Sequence, residues 1–348
     1  MSFYDGKNLE NWLSSVSHDQ FPNGEDYCKR FGNIKDWISK NIYDEVKAAA
    51  LFAEVAAQKE PIYLNNHGKE HVESVIGRAT EFIKDSCQID AYQMYLLLVA
   101  VLIHDAGNIY GRKNHESMCV KIMNGIGNLA GEESAEKRII LKVAQAHGGY
   151  VDGEKDTIGL LDPSVELYGR TISQSLLAAI LRFADELADD SSRASRFMLR
   201  ENLLGGSEIY HAYSHSLKSV RIGDGVIRLQ YELIRENIKN PLRVGGKKRY
   251  LIDEIFSRVT KMHMECRYCS RYIRPHAKYP VSDKISVRID MYEGYSADKM
   301  IKVIADPIQF TVEEKGYPEI PKNGIYDLCP WLKNINGKSL SKKVDSKR

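Results

Sequence analysis

The stretch Leu96-Leu-Leu-Val-Ala-Val-Leu-Ile-His-Asp105 carries the reading of this chain. The uninterrupted apolar run that contains it, Met94 to Ile103, is far shorter than the roughly 20 residues a membrane-spanning helix needs, so it reads as a core helix. That helix ends on an imidazole and a carboxylate, His104-Asp105, directly before Ala106-Gly107. A carboxylate taken out of water loses its hydration, and a fold carries such a group only when it is paired or bound to metal.

The same anomaly recurs on the neighbouring segments. His71 shares a helical stripe with Val75, Ile76 and Ala79, and His147 lies four residues after Val143 on the apolar face of its helix. Asp185 lies four residues after Leu181 and eight after Leu177, in the stripe of Leu177, Ile180, Leu181 and Ala184. Charged or titratable types on apolar faces are thus concentrated in one half of the chain. His71, His104, Asp105, His147 and Asp185 read as ligands converging on a cation, with His115 in the first turn of the next helix as a further one. Asp105 has two oxygens and can serve two cations.

Imidazole mixed with carboxylate suits manganese, iron, zinc, nickel or cobalt, with magnesium also admissible, and does not choose among them. One or two divalent ions are expected. Such an ion lowers the pKa of water toward neutrality, and a second at about 3.5–4 Å stabilises attacking and leaving oxygens. Arg112 and Lys113, in the loop between Gly107 and His115, are placed to neutralise an anionic substrate. His67, four residues before His71, sits at the lip of its helix. Lys69, Arg193 and Asp189 are weaker candidates for contacts around the site.

Working outward, residues 8 to 204 are helical in periodicity, with expected helices at Ile42–Gln58, Glu70–Asp85, Ala91–His104, His115–Ile126, Ser134–His147 and Ser173–Asp189. Past Gly205-Gly206 the residues around Asp224-Gly225 alternate as a hairpin. A helix is expected over Tyr250–Tyr272, then strands at 285–292 and 307–312. The expected fold is mainly α: an all-α bundle over 1–205, a small α+β unit over 206–335 and a flexible tail over 336–348.

Hydrophobic residues make up 43% of the chain and charged ones 28%, as in ordinary globular proteins, and the formal net charge of +2 gives no global attraction to nucleic acid or membrane. The six cysteines are irregularly spaced and the N-terminus lacks a basic and apolar leader pattern, so a cytoplasmic location is expected. Composition leaves the oligomeric state open. Cys266 and Cys269, with His263 and His276 near, form a C-x-x-C that reads weakly as zinc because most of it lies on one helix. The Tyr and Arg residues of 267–274 read as a solvated helix face before they read as a nucleic-acid surface.

His71, then His104-Asp105, then Asp185 resembles the four-part motif of the HD superfamily of metal-dependent phosphohydrolases, over about residues 60 to 200. The resemblance implies an HD helical bundle in which those four residues hold the first metal, while His115 and His147 fall where two-metal members carry added histidines. His67 ahead of His71 is similar to the His-Asn-x-x-His run of cyclic-nucleotide phosphodiesterases, with Gly68 in place of the Asn, and implies a proton donor to the leaving oxygen. Arg182-Phe-Ala-Asp-Glu-Leu-Ala-Asp189 looks like the last motif of bacterial HD proteins, some from conflict or signalling systems. The implied activity is hydrolysis of a nucleotide or related phosphate ester. The alternative is a nucleotide-binding sensor or scaffold without turnover, and iron-dependent oxygenation is a third.

Overall fold

The computed structural model describes residues 8–46, 68–83, 89–111, 114–148, 150, 154–277, 283–296, 299–300, 302–313 and 320–345. Its contacts divide into two compact units.

The first unit comprises Met1–Ala50, His67–Ala188 and Tyr268–Val281 and is built from helices. They are α1 (Leu9–Ser15), α2 (Tyr27–Ile38), α3 (Lys69–Ile83), α4 (Ala91–Ile103), α5 (His115–Ile126), α6 (Ser134–Gln145) and α7 (Gln174–Leu187). Helix α4 is the centre. Every one of its residues is buried, and α1, α2, α3, α5, α6 and α7 all pack on it. Each fully buried Leu, Ile or Val contributes roughly 1.5–3 kcal/mol, so α4 is the main source of the core's stability. Asp90 caps it, accepting from the Gln93 amide at 2.8 Å.

A helix apolar on all sides still carries polar groups, and these tie it to its neighbours. The Tyr92 hydroxyl donates to Glu136 of α6 at 2.6 Å, the Tyr27 hydroxyl of α2 donates to the same carboxylate at 3.0 Å, and Arg30 pairs with it at 3.1 Å. Gln93 accepts from the Ser173 amide before α7 at 3.0 Å. A buried carboxylate with three donors is thereby satisfied without a cation.

The first unit also contains a strand pair, β1 (Val165–Leu167) with β2 (Arg170–Ile172), joined through Tyr168 and Gly169, both at positive φ. The all-α expectation for this half omits it because three residues per strand are too few for a period to register. Of the expected helix Ile42–Gln58, the described part is a π-turn at Ser39–Tyr43 that stays helical through Val46; the remainder lies outside the described residues. Among the described residues no single helix is long and apolar enough to cross a membrane.

The second unit holds Asp189–Arg267 and Ser282–Arg348 together with residues 51–66. Its longer helices are α8 (Glu208–Ser216), α9 (Leu251–Ile273), which belongs to this unit through Arg267, and α10 (Gly337–Asp345). Its sheet has the order β6-β5-β4-β3, with β3 at Leu217–Gly223, β4 at Val226–Ile234, β5 at Lys284–Tyr292 and β6 at Val303–Val312. The β3–β4 hairpin turns on Asp224 and Gly225, both at positive φ as a type I′ turn demands. Strands β4 and β5 are parallel, so the connection between them must cross over, and α9 lies in it. Ile227, Leu229, Tyr231 and Leu233 alternate onto the buried face, and Phe256 of α9 meets Phe310 edge-on at 5.7 Å.

The expected flexible tail over 336–348 is corrected here. Residues 337–345 are α10, because Leu340 and Val344, four apart, are buried, and the Val344 carbonyl accepts from Arg235 at 2.6 Å. Two apolar residues among many lysines are few by composition but sufficient at helical spacing.

Candidate metal centre

Helix ends and an irregular turn deliver the site residues of the first unit. His71 stands in the first turn of α3, and His104-Asp105 follow the last residue of α4. His115 opens α5, His147 lies two residues beyond α6, and Asp185 is in the last turn of α7. Backbone groups at helix termini lack intrahelical partners, so chain direction changes there and side chains from several helices can meet.

They do meet, in two groups sharing Asp105. In the first, His71 Nε2 is 3.1 Å from Asp185 Oδ1 and 3.4 Å from Asp105 Oδ2. His104 Nε2 is 3.7 and 3.6 Å from the same two oxygens. In the second, Asp105 Oδ1 lies 3.1 Å from His115 Nε2 and 3.6 Å from His147 Nε2. Within each group the ligand atoms fall within 4.8 Å of one another. Asp105 thus turns one oxygen to each group.

These spacings also suit ligands of a shared cation. Two donors each about 2.1 Å from a cation are about 3.0 Å apart at a right angle and about 3.7 Å apart at roughly 125°. The observed separations span that range. His104 Nε2 is buried and, among the described residues, has no hydrogen-bond partner, an arrangement a cation between it and the carboxylates explains. The donor set fits a divalent transition ion, with three or four protein ligands per group and room for others.

Two imidazoles are oriented by their own helices. His104 Nδ1 donates to the Val101 carbonyl at 2.8 Å and His147 Nδ1 to the Ala144 carbonyl, which directs each Nε2 lone pair into the site. Burial alone drives the His104 pKa down; Asp105 and Asp185 outweigh it and raise it to about 9. Desolvation pushes Asp185 up, but the imidazoles of His104 and His71 hold it well below the usual carboxylate range. Burial dominates at His147 and lowers it, keeping a neutral ring. Asp185 is also the accessible edge, with 28% of its side chain exposed against 6% or less for its three companions.

Other sequence candidates are placed differently. His67, Arg112 and Lys113 lie outside the described residues. Lys69 is exposed, 3.8 Å from Glu73. Asp189 accepts from Ser214 Oγ at 2.6 Å and lies 4.0 Å from Arg193, both within the second unit. Cys266, Cys269 and His263 are buried along α9 and His276 is exposed; among the described residues they join no group of metal-ligand atoms. Tyr268 and Tyr272 donate to Asp156, and Arg182 lies over the Tyr268 ring at 4.7 Å, so these aromatics are engaged within the protein.

Two supporting residues escaped the sequence reading. Asn108 Nδ2 donates to Asp105 Oδ1 at 3.0 Å and fixes the shared carboxylate. Arg182, buried on α7, donates to the Gly148 carbonyl at 3.1 Å and to Thr157 Oγ1 at 2.7 Å, and Thr157 in turn donates to the Ala146 carbonyl at 2.7 Å. The residues on either side of His147 are thereby held. An arginine on the same apolar face as Asp185, three residues earlier, was the available signal.

The family model of HD-CE, an HD-domain-related family, matches residues 52–261. No curated protein and no solved structure matches the chain.

Proposed function

Because this chain belongs to the HD-CE family and gathers four imidazoles and two aspartates into adjoining groups, we propose that it is a metal-dependent phosphohydrolase acting on a nucleotide or related phosphate ester. The observation that carries the reading is Asp105, with one oxygen facing His71 and His104 and the other facing His115 and His147. Divalent cations held there would supply positive charge to the phosphoryl oxygens and lower the pKa of water, the chemistry that hydrolysis of a phosphate ester requires.

The chain's own residues supply binding, orientation and exclusion of bulk solvent. His104 and His147, tethered through Nδ1, keep their Nε2 atoms aimed inward without rearrangement. Asp105 would balance the charge of two cations at once, and Asn108 holds its plane. Asp185 offers the accessible edge at which a phosphate enters. Arg112 and Lys113 neutralise that phosphate in this proposal, and His67 protonates the leaving oxygen.

The test is Asp105→Ala. Purified wild type takes up manganese and releases product from at least one member of a panel of nucleotides and cyclic nucleotides; the variant, folded by circular dichroism, loses both. Full turnover by Asp105→Ala refutes the proposal. A wild type whose melting temperature rises with manganese and nucleotide while no product forms assigns the site to a sensor instead.

A further inference from the structure

His115 poses an orientation problem that the other tethered histidines do not. His104 and His147 each donate Nδ1–H to the carbonyl three residues back, in the preceding helical turn. His115 is the first residue of α5 and has no helical turn behind it. Its Nδ1 instead faces Glu116 Oε2 at 3.3 Å, while its Nε2 points at Asp105 Oδ1 at 3.1 Å.

Glu116 also packs against the residue that follows the other histidine of that group. Its side chain packs so closely on Gly148, the residue after His147, that a Cβ there would overlap the Glu116 carboxyl and Cγ. The far side of Gly148 is held by Arg182 through its carbonyl. One carboxylate therefore touches His115 directly and the backbone next to His147.

We infer that Glu116 is the positioning residue of the second cation group: it orients His115 and braces the turn that carries His147, while the group of His71, His104 and Asp185 stands without it. The inference rests on the metal reading above. A carboxylate on Nδ1–H fixes the tautomer and makes Nε2 more basic toward a cation, and losing such a partner costs about 10–100-fold in metal affinity. The effect is confined to one of two ions, which a general loss of stability is not.

The test is a titration of wild type, Glu116→Gln and Glu116→Ala with manganese(II), followed by calorimetry and by electron paramagnetic resonance, which reads the magnetic coupling of two manganese ions through a shared carboxylate. Wild type takes up two ions and gives a coupled signal. Glu116→Ala keeps the tighter ion at unchanged affinity, binds the other about 10–100-fold more weakly and gives the six-line signal of isolated manganese at one equivalent and above. Glu116→Gln, which retains an acceptor without its charge, falls between them. Equal affinities across the series, with coupling intact, overturn the role of Glu116. A wild type that binds no manganese overturns the metal reading itself, so the two failures are told apart. Should Glu116→Ala not fold, the near-isosteric Glu116→Gln decides alone: a second ion as tight as in wild type overturns the inference.

Discussion

Binding of a divalent cation at this site, as proposed, would expel a proton. In the metal-free protein Asp105 and Asp185 raise the His104 pKa to about 9, so at pH 7 its ring carries the proton. A cation binds the neutral ring only. The apparent affinity of the first group is therefore lower at pH 7 than above pH 9 and rises with pH between. Asp185, already ionised, and His147, already neutral, release none. The assay is calorimetric titration at pH 7 in two buffers of different ionisation enthalpy, which gives the protons released per ion, together with dissociation constants from pH 7 to 8.5. The ion of the first group is expected to displace at least the His104 proton. The same proton has an opposite signature in the chelated protein: a histidine raised on folding contributes stability that is complete below its unfolded value near 6.5 and is lost as pH rises through 9. Melting temperature of the metal-free protein should fall across that window while that of the loaded protein does not. Affinity that is flat from pH 7 to 8.5, with no proton released, refutes the argument.

Three further substitutions probe the supports. At Gly107 an added Cβ would overlap the backbone carbonyl oxygen of His115, so Gly107→Ala must displace the start of α5. A displacement near 1 Å should cost about 100-fold in turnover and should weaken the second manganese ion more than the first; a titration matching wild type would be the wrong outcome. Arg182→Met leaves the Gly148 carbonyl and the Thr157 hydroxyl without a buried charged donor and should cost about 2–4 kcal/mol in urea denaturation, and a change under 0.5 kcal/mol contradicts the bracing role. Tyr92→Phe removes the 2.6 Å bond to Glu136 and should cost about 1.5–3 kcal/mol by the same measurement, with both manganese affinities unmoved.

Much of this arrangement was legible before any coordinates. Helix α5 runs from His115 to Ile126 as its periodicity predicts, and the Asp224-Gly225 hairpin and the long helix near 250–272 are where the turn chemistry and spacing put them. His71, His104, Asp105, His115, His147 and Asp185 stood out as titratable types on apolar stripes or at a helix start, and the structure brings all of them together. What sequence could not carry is orientation. Periodicity places Asp105 at the end of α4 but says nothing of which oxygen faces which helix. Likewise Glu136 and Tyr27 are 109 residues apart, and only packing joins them. Three-residue strands and a helix held by two apolar side chains fall below the length at which a period can be read.

Burial alone does not distinguish the candidate metal centre, because Glu136 and Asp105 are both buried carboxylates of the same unit. Their surroundings differ in what they offer. Glu136 meets two hydroxyls and a guanidinium at 2.6–3.1 Å, all donating to it at hydrogen-bond length, and the fold closes around it without need of an ion. Asp105 instead faces four imidazoles at 3.1–3.6 Å, separations at which imidazole and carboxylate can share a cation. Donor type together with donor distance, rather than burial, therefore separates a polar core contact from a ligand set on this helical framework.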